Sequence, residues 1–207
     1  MTPESFTDHV YWQLEAHEHE DDLPTTIERT HTLICDAARR QLVSDVPLRV
    51  LSGGLDSSIL SMLAAKDYAA RGETLHTWSV DYRDNDKYFT KSIFQPNSDD
   101  SYIDQMVDFL GTHHHRVVLE PEALCAALLP ATDARALPGM ADVDSSLLLF
   151  CAAVKRGGTT VCLSGECADE LFGGYPWYHR EEILFEDTFS VVTVGRSASG
   201  SAHTGCR

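Results

Sequence analysis

Basic residues are scarce in this chain of 207 residues: 16 lysines and arginines stand against 32 aspartates and glutamates, a formal charge of −16. Nucleic-acid binders present a basic face, so this balance argues against such a partner. Long apolar runs are missing as well. The longest, Leu147 to Val154, is far short of the ~20 residues that cross a bilayer, so no membrane partner is expected. Met1-Thr2-Pro3-Glu4 has neither a basic start nor an apolar stretch, which is unlike a secretory signal. Cys35, Cys125, Cys151, Cys162, Cys167 and Cys206 form no C-x-x-C pair and several lie in apolar runs. They read as small reduced core residues of a cytoplasmic protein, without a zinc site or a disulfide framework. Nor is there a Gly-Lys-Ser/Thr, which excludes the P-loop of enzymes that cleave a γ-phosphate.

What is present begins with Leu51-Ser52-Gly53-Gly54-Leu55-Asp56-Ser57-Ser58. A short apolar run precedes it and the pattern Ile59, Leu60, Met62, Leu63 follows. That is a strand, a glycine turn and a helix start. Helix N-termini carry unpaired N–H groups and the positive end of a dipole, so a phosphate is welcome there. Gly53 and Gly54 allow close backbone approach and positive φ, and Ser52, Ser57 and Ser58 add hydroxyls. Serine, aspartate and glycine also belong at helix starts for structural reasons alone.

Along the chain, residues 1–44 read as a polar segment with a small apolar cluster (Val10, Tyr11, Trp12, Leu14), then a helix opened by Pro24 and continued through Ile27, Leu33, Ile34, Ala37, Ala38 and Leu42. Residues 45–186 read as the main domain. Strands are expected at Leu48–Leu51, Thr74–Val80, Val117–Leu119 and Thr160–Leu163, separated by helices at Asp56–Ala70, through Ile103, Met106, Val107, Phe109 and Leu110 with Asp99 or Asp100 as cap, from Pro121, and at Leu147–Val154. Asp144-Ser145-Ser146 should cap the last of these, which should be buried on most sides. Strand–helix–strand units of this length imply parallel pairing with right-handed crossovers. The fold class is therefore α/β. Residues 187–207, rich in Ser, Gly, Thr and Ala, read as a flexible tail.

A second loop, Ser164-Gly165-Glu166-Cys167-Ala168-Asp169-Glu170-Leu171-Phe172-Gly173-Gly174-Tyr175, follows the fourth strand with the same strand, Ser-Gly, helix logic. In open parallel sheets ligands sit outside the carboxyl ends of the strands. Both loops, and Val80 after the second strand, leave from that edge and should meet at one crevice. His113-His114-His115 cannot all face one site from an extended strand, and a structural role is expected for them.

The first loop resembles the SGGxDS pyrophosphate loop of ATP pyrophosphatases. Taken with SGECADELFGGYPWYH and LGTHHH, it is similar to the synthetase domain of glutamine-dependent asparagine synthetases; β-lactam synthetase is similar in the same motifs. The resemblance implies a Rossmann-like parallel sheet with helices on both faces, of the PP-loop ATP pyrophosphatase type. It implies ATP and Mg²⁺ as cofactors, and aspartate and ammonia as substrates. The aspartate side chain would be adenylated with release of pyrophosphate, and ammonia would then displace AMP. By position, Ser52, Gly53, Gly54, Asp56, Ser57 and Ser58 would hold pyrophosphate, while Leu51, Val80, Ser164 and Gly165 would line the adenosine part. Asp56 and Asp169 would bind the metal, and Glu166 would act as general base towards the incoming ammonium or orient it. The carboxylates also ask for a cation on charge grounds, since a carboxylate about 4 Å from a phosphate charge is repelled by roughly 4 kcal/mol at an effective dielectric of 20.

Three departures accompany the resemblance. A glutaminase domain with its N-terminal cysteine is missing or separate, no lysine follows Lys155, and Asp142 stands where other members tend to carry a basic residue. Impaired activity of these 207 residues taken alone is the expectation. A non-catalytic module that binds ATP or pyrophosphate, and a related amidotransferase acting on another carboxylate, are the alternatives.

Overall fold

The computed structural model describes residues 5, 7–46, 48–51, 53–90 and 99–181. Ser52, the Pro96-Asn97 turn and the expected tail lie outside the described residues. The chain forms two compact units, Met1–Ala37 and Ala38–Arg207. Among the described residues before helix α1 (Leu23–Gln41) there is no regular structure, and Val10, Tyr11, Trp12 and Leu14 are exposed. Asp22 starts α1: its carboxylate accepts the backbone N–H of Thr25 at 2.9 Å, and these bonds to Thr25 hold its pKa below the usual value.

The second unit alternates strands and helices: β1 (Leu48–Leu51), α2 (Leu55–Ala70), β2 (His76–Tyr82), α3 (Asn85–Tyr88), α4 (Asp100–Leu110), β3 (His113–Leu119), α5 (Pro121–Arg135), α6 (Ala141–Arg156), β4 (Val161–Leu163) and α7 (Ala168–Phe172). The strands make one four-stranded sheet in the order β3-β2-β1-β4, every pair parallel. The fold is α/β, as its alternating pattern implied. Strand side chains alternate between faces, which gives the sheet two cores. Leu48 and Val50 join Ala64 and Tyr68 of α2 on one side. On the other, Trp78 packs with Phe150 and Val154 of α6, alongside Leu51, Val80 and Val117. Tyr68 also fastens α2 to the sheet, its hydroxyl donating to the buried carbonyl of Leu48 at 2.7 Å.

Several expectations change. Strand β3 begins at His113, four residues before the expected start, because ladder pairing with β2 from His76↔His113 to Tyr82↔Leu119 carries its polar half into the sheet. Val80 lies inside β2 instead of after it. Helix α6 starts at Ala141, so Asp144, Ser145 and Ser146 are helical residues, not caps. Asp144 pairs with Arg135 at 2.6 Å, and Ser145 bonds back to the carbonyl of Ala141. This helix is also less buried than its composition implied: Phe150 and Val154 meet the sheet, while Leu147 is 49% exposed. Of the five described cysteines, all free, only Cys35 is buried; Cys125, Cys151 and Cys167 are exposed, since apolar helical runs still have an outer side.

Candidate functional site

The sheet order fixes where a ligand can sit. From β1 the chain steps to β2 and then β3, and afterwards returns across the sheet to place β4 beside β1. The crevice between neighbouring strands whose connections run in opposite directions is where open α/β sheets bind ligands. Here those strands are β1 and β4, in register from Leu48↔Val161 to Val50↔Leu163. Their carboxyl ends lead directly into the two sequence motifs.

A crevice of about 320 Å³ opens there, lined by Leu51, Gly53, Gly54, Asp56, Ser57, Val80, Leu147, Phe150, Ser164, Gly165 and Glu166. The two loops touch at its floor. A Cβ built on Gly165 would stand 2.8 Å from the backbone nitrogen of Ser57 and 2.9 Å from the Cβ of Asp56. Only glycine permits that approach. A larger hollow, about 750 Å³, lies on the exposed segment from Val10 to His17, in the first unit.

The first loop is held by one serine. The hydroxyl of Ser57 accepts the N–H groups of Gly53 and Gly54 at 3.0 and 2.9 Å and lies 2.9 Å from the carbonyl of Gly54. Ser58 is not part of the lining; its hydroxyl donates to the same carbonyl at 2.7 Å. The glycines serve by openness and not by unusual dihedrals. Neither has positive φ, and a Cβ on either would meet nothing within 4 Å. Asp56, in the first turn of α2, is half-buried and faces the crevice.

In the second loop, Glu166 lines the crevice and its N–H bonds to the hydroxyl of Ser164 at 3.1 Å. Cys167 takes a left-handed φ of 70° just before α7, a conformation that costs an ordinary residue about 1–2 kcal/mol. Asp169 is not in the lining. Its carboxylate rests against Gly174, where an added Cβ would lie 1.9 Å from Oδ1. Tyr175 gathers the acids of this loop: burial, then the carboxylates of Glu170, Asp169 and Glu166, push its hydroxyl above the usual phenol range. That hydroxyl donates to the exposed carboxylate of Glu170 at 3.3 Å. Tyr175 stacks on Trp177, ring centroids 4.3 Å apart, outside the crevice.

Leu147 and Phe150, the apolar wall supplied by α6, were not foreseen. Their signal was available: Leu147, Phe150 and Val154 recur at helical spacing and form one stripe. As for magnesium, the donor set suits an ion that takes one or two carboxylates and leaves its other positions to phosphate oxygens and water. Asp56 and Glu166 are the carboxylates that line the crevice.

The family model for asparagine synthase matches residues 29–204. Asparagine synthetase [glutamine-hydrolyzing] 3 of Bacillus subtilis (strain 168) is 49% identical over 175 residues, 84% of this chain and 28% of that protein. Asparagine synthetase B [glutamine-hydrolyzing] of Escherichia coli (strain K12) is 34% identical over 153 residues, 70% of this chain and 26% of its own length. The chain thus spans about a quarter of the length of the curated relatives it matches.

Proposed function

The chain belongs to the asparagine synthase family, and from that premise we propose that it carries the nucleotide half of an ATP-dependent asparagine-forming site. ATP would lie in the crevice with its phosphates over the start of α2. Leu51, Val80, Leu147 and Phe150 would form the wall for the adenosine, and Gly53, Gly54 and the helix start would face the pyrophosphate. Ser52, outside the described residues, belongs to the same loop in sequence. The contact between Gly165 and the first turn of α2 carries this reading, because it makes one site of two motifs more than a hundred residues apart.

Mg²⁺ would be held by Asp56, with Asp169 nearby among the carboxylates around Tyr175, and would offset charge on the phosphates. The chain's own contribution is positional. Helix-terminal amides and the open glycines accept an anion without a side chain in the way, and the apolar wall from α6 excludes water from one side. Glu166 stands on the crevice rim, where a base towards ammonium is needed once the aspartate carboxylate is activated. Residues 45–186 form the domain that does this. The 207 residues by themselves are expected to be impaired, since the lysine implied downstream is not among them.

Calorimetry with Mg-ATP and with adenosine tests the assignment of Asp56. Asp56→Asn is expected to weaken Mg-ATP at least about tenfold, 1.4 kcal/mol, and to leave adenosine nearly unchanged. Equal losses for both ligands would remove Asp56 from the phosphate side of the site.

A further inference from the structure

At the opposite end of the sheet, the starts of β2 and β3 bring three imidazoles together. His76 pairs in register with His113, and Trp78 with His115. Alternation along the strands puts His76, His113 and His115 on one face. His114 is turned to the other, bonded to Thr77 and Ser79 at 2.8 and 2.9 Å. Ring nitrogens of the three histidines all lie within 4.8 Å of one another, and Nδ1 of His76 is 2.8 Å from Nε2 of His115. Ring centroids are 4.7, 5.1 and 4.9 Å apart. Among the described residues no other trio of histidine, cysteine, aspartate or glutamate converges in this way.

We propose that His76, His113 and His115 form a binding site for a late first-row divalent metal ion, Zn²⁺ above all, separate from the nucleotide crevice. Four-coordinate zinc binds imidazole nitrogen at about 2.0–2.1 Å, which sets its ligands roughly 3.4 Å apart. The nitrogens here, 2.8 to 4.8 Å apart, reach that spacing by small ring rotations. Three imidazoles with no carboxylate select zinc, nickel or copper over magnesium, so Mg²⁺ at the other end of the sheet would not compete. His113 is exposed and gives access; the other two are half-buried.

Protonation also favours a metal. Burial first, then Arg49 for His76 and His113 for His115, lowers both pKa values from the usual histidine value, the direction that suits a metal ligand. In the metal-free pair one ring must donate to the other. On binding, that ring's proton moves through water to its second nitrogen, and both contacting nitrogens become ligands with no net proton released. The ion would tie the first residue of β2 to the first residue of β3 and leave a fourth position for water.

Trp78 is a built-in reporter, stacked on His115 with centroids 4.3 Å apart. The test uses the full chain, stripped with a chelator and then freed of it, and titrated with Zn²⁺ against a chromogenic competitor. Saturable binding is expected, weakened at least tenfold by His113→Ala and by His113→Gln, and unchanged by His17→Ala. In a Trp12→Phe/Trp177→Phe background, Cu²⁺ should quench Trp78, and His113→Ala should move the quenching to higher metal concentration. Absence of saturable Zn²⁺ binding, parent-like affinity in both His113 variants, or copper binding that leaves Trp78 unquenched would each overturn the site. Because His113 is exposed, its substitution leaves the fold in place, and the circular dichroism spectrum should be that of the parent.

Discussion

Glu166→Gln is expected to slow amide formation by about 10²–10⁴-fold while leaving aspartate adenylation nearly intact, with ammonium supplied directly as the nitrogen source. The expectation rests on where the side chain sits. Glu166 is exposed and lines the crevice beyond Gly165, which itself rests on the start of α2. On the proposed reading, a carboxylate there would meet the incoming nitrogen. Glutamine keeps the shape and loses the proton acceptor, so a loss confined to the second half-reaction identifies a base. The two half-reactions are separated by following pyrophosphate–ATP exchange and asparagine formation on the same preparation. If exchange falls as far as amide formation, Glu166 serves the first step or the loop instead.

Gly165→Ala is the second large effect. The added carbon would stand 2.8 Å from a backbone nitrogen and 3.1 Å from the carbonyl carbon of Asp56, neither of which can rotate away. One loop must move off the other. Overpacking of this kind costs about 1–3 kcal/mol. Where the cost falls on the binding-competent arrangement, Mg-ATP affinity drops roughly 5- to 150-fold. Thermal denaturation beside calorimetry separates the effects: affinity should fall more than the melting temperature can explain. Unchanged Mg-ATP affinity would mean that contact between the two loops is not needed for the site.

Much of this was legible in the sequence, for physical reasons that differ by element. Strand β1 and helix α2 could be read because Leu48, Val50 and the pattern from Ile59 follow the periods of a buried strand and a helix, with glycines between. The meeting of the loops could be read because parallel strands put their carboxyl ends on one edge. Strand β3 was less visible, since His113 to Arg116 are polar and are held in the ladder by β2, a partner that local composition does not reveal. The trio on that strand was hidden for a related reason. Alternation correctly separates His114 from its neighbours, but His76 comes from another strand, 37 positions earlier than His113. Helix α6 misled in the opposite sense: an apolar run implied burial on most sides, whereas the sheet covers one stripe and Leu147 is left to wall the crevice. The loop glycines were expected to allow close backbone approach and positive φ; neither has positive φ, and open space surrounds both.

Isotope exchange of labelled pyrophosphate into ATP, with and without aspartate, tests the central claim most directly. It reads adenylation alone and needs neither ammonia nor a glutaminase. Exchange that requires aspartate, and that disappears in Asp56→Asn, is the result expected of a crevice built from the two loops. Exchange that is indifferent to aspartate, that responds only to another carboxylic acid, or that cannot be told from the Asp56→Asn background would contradict it.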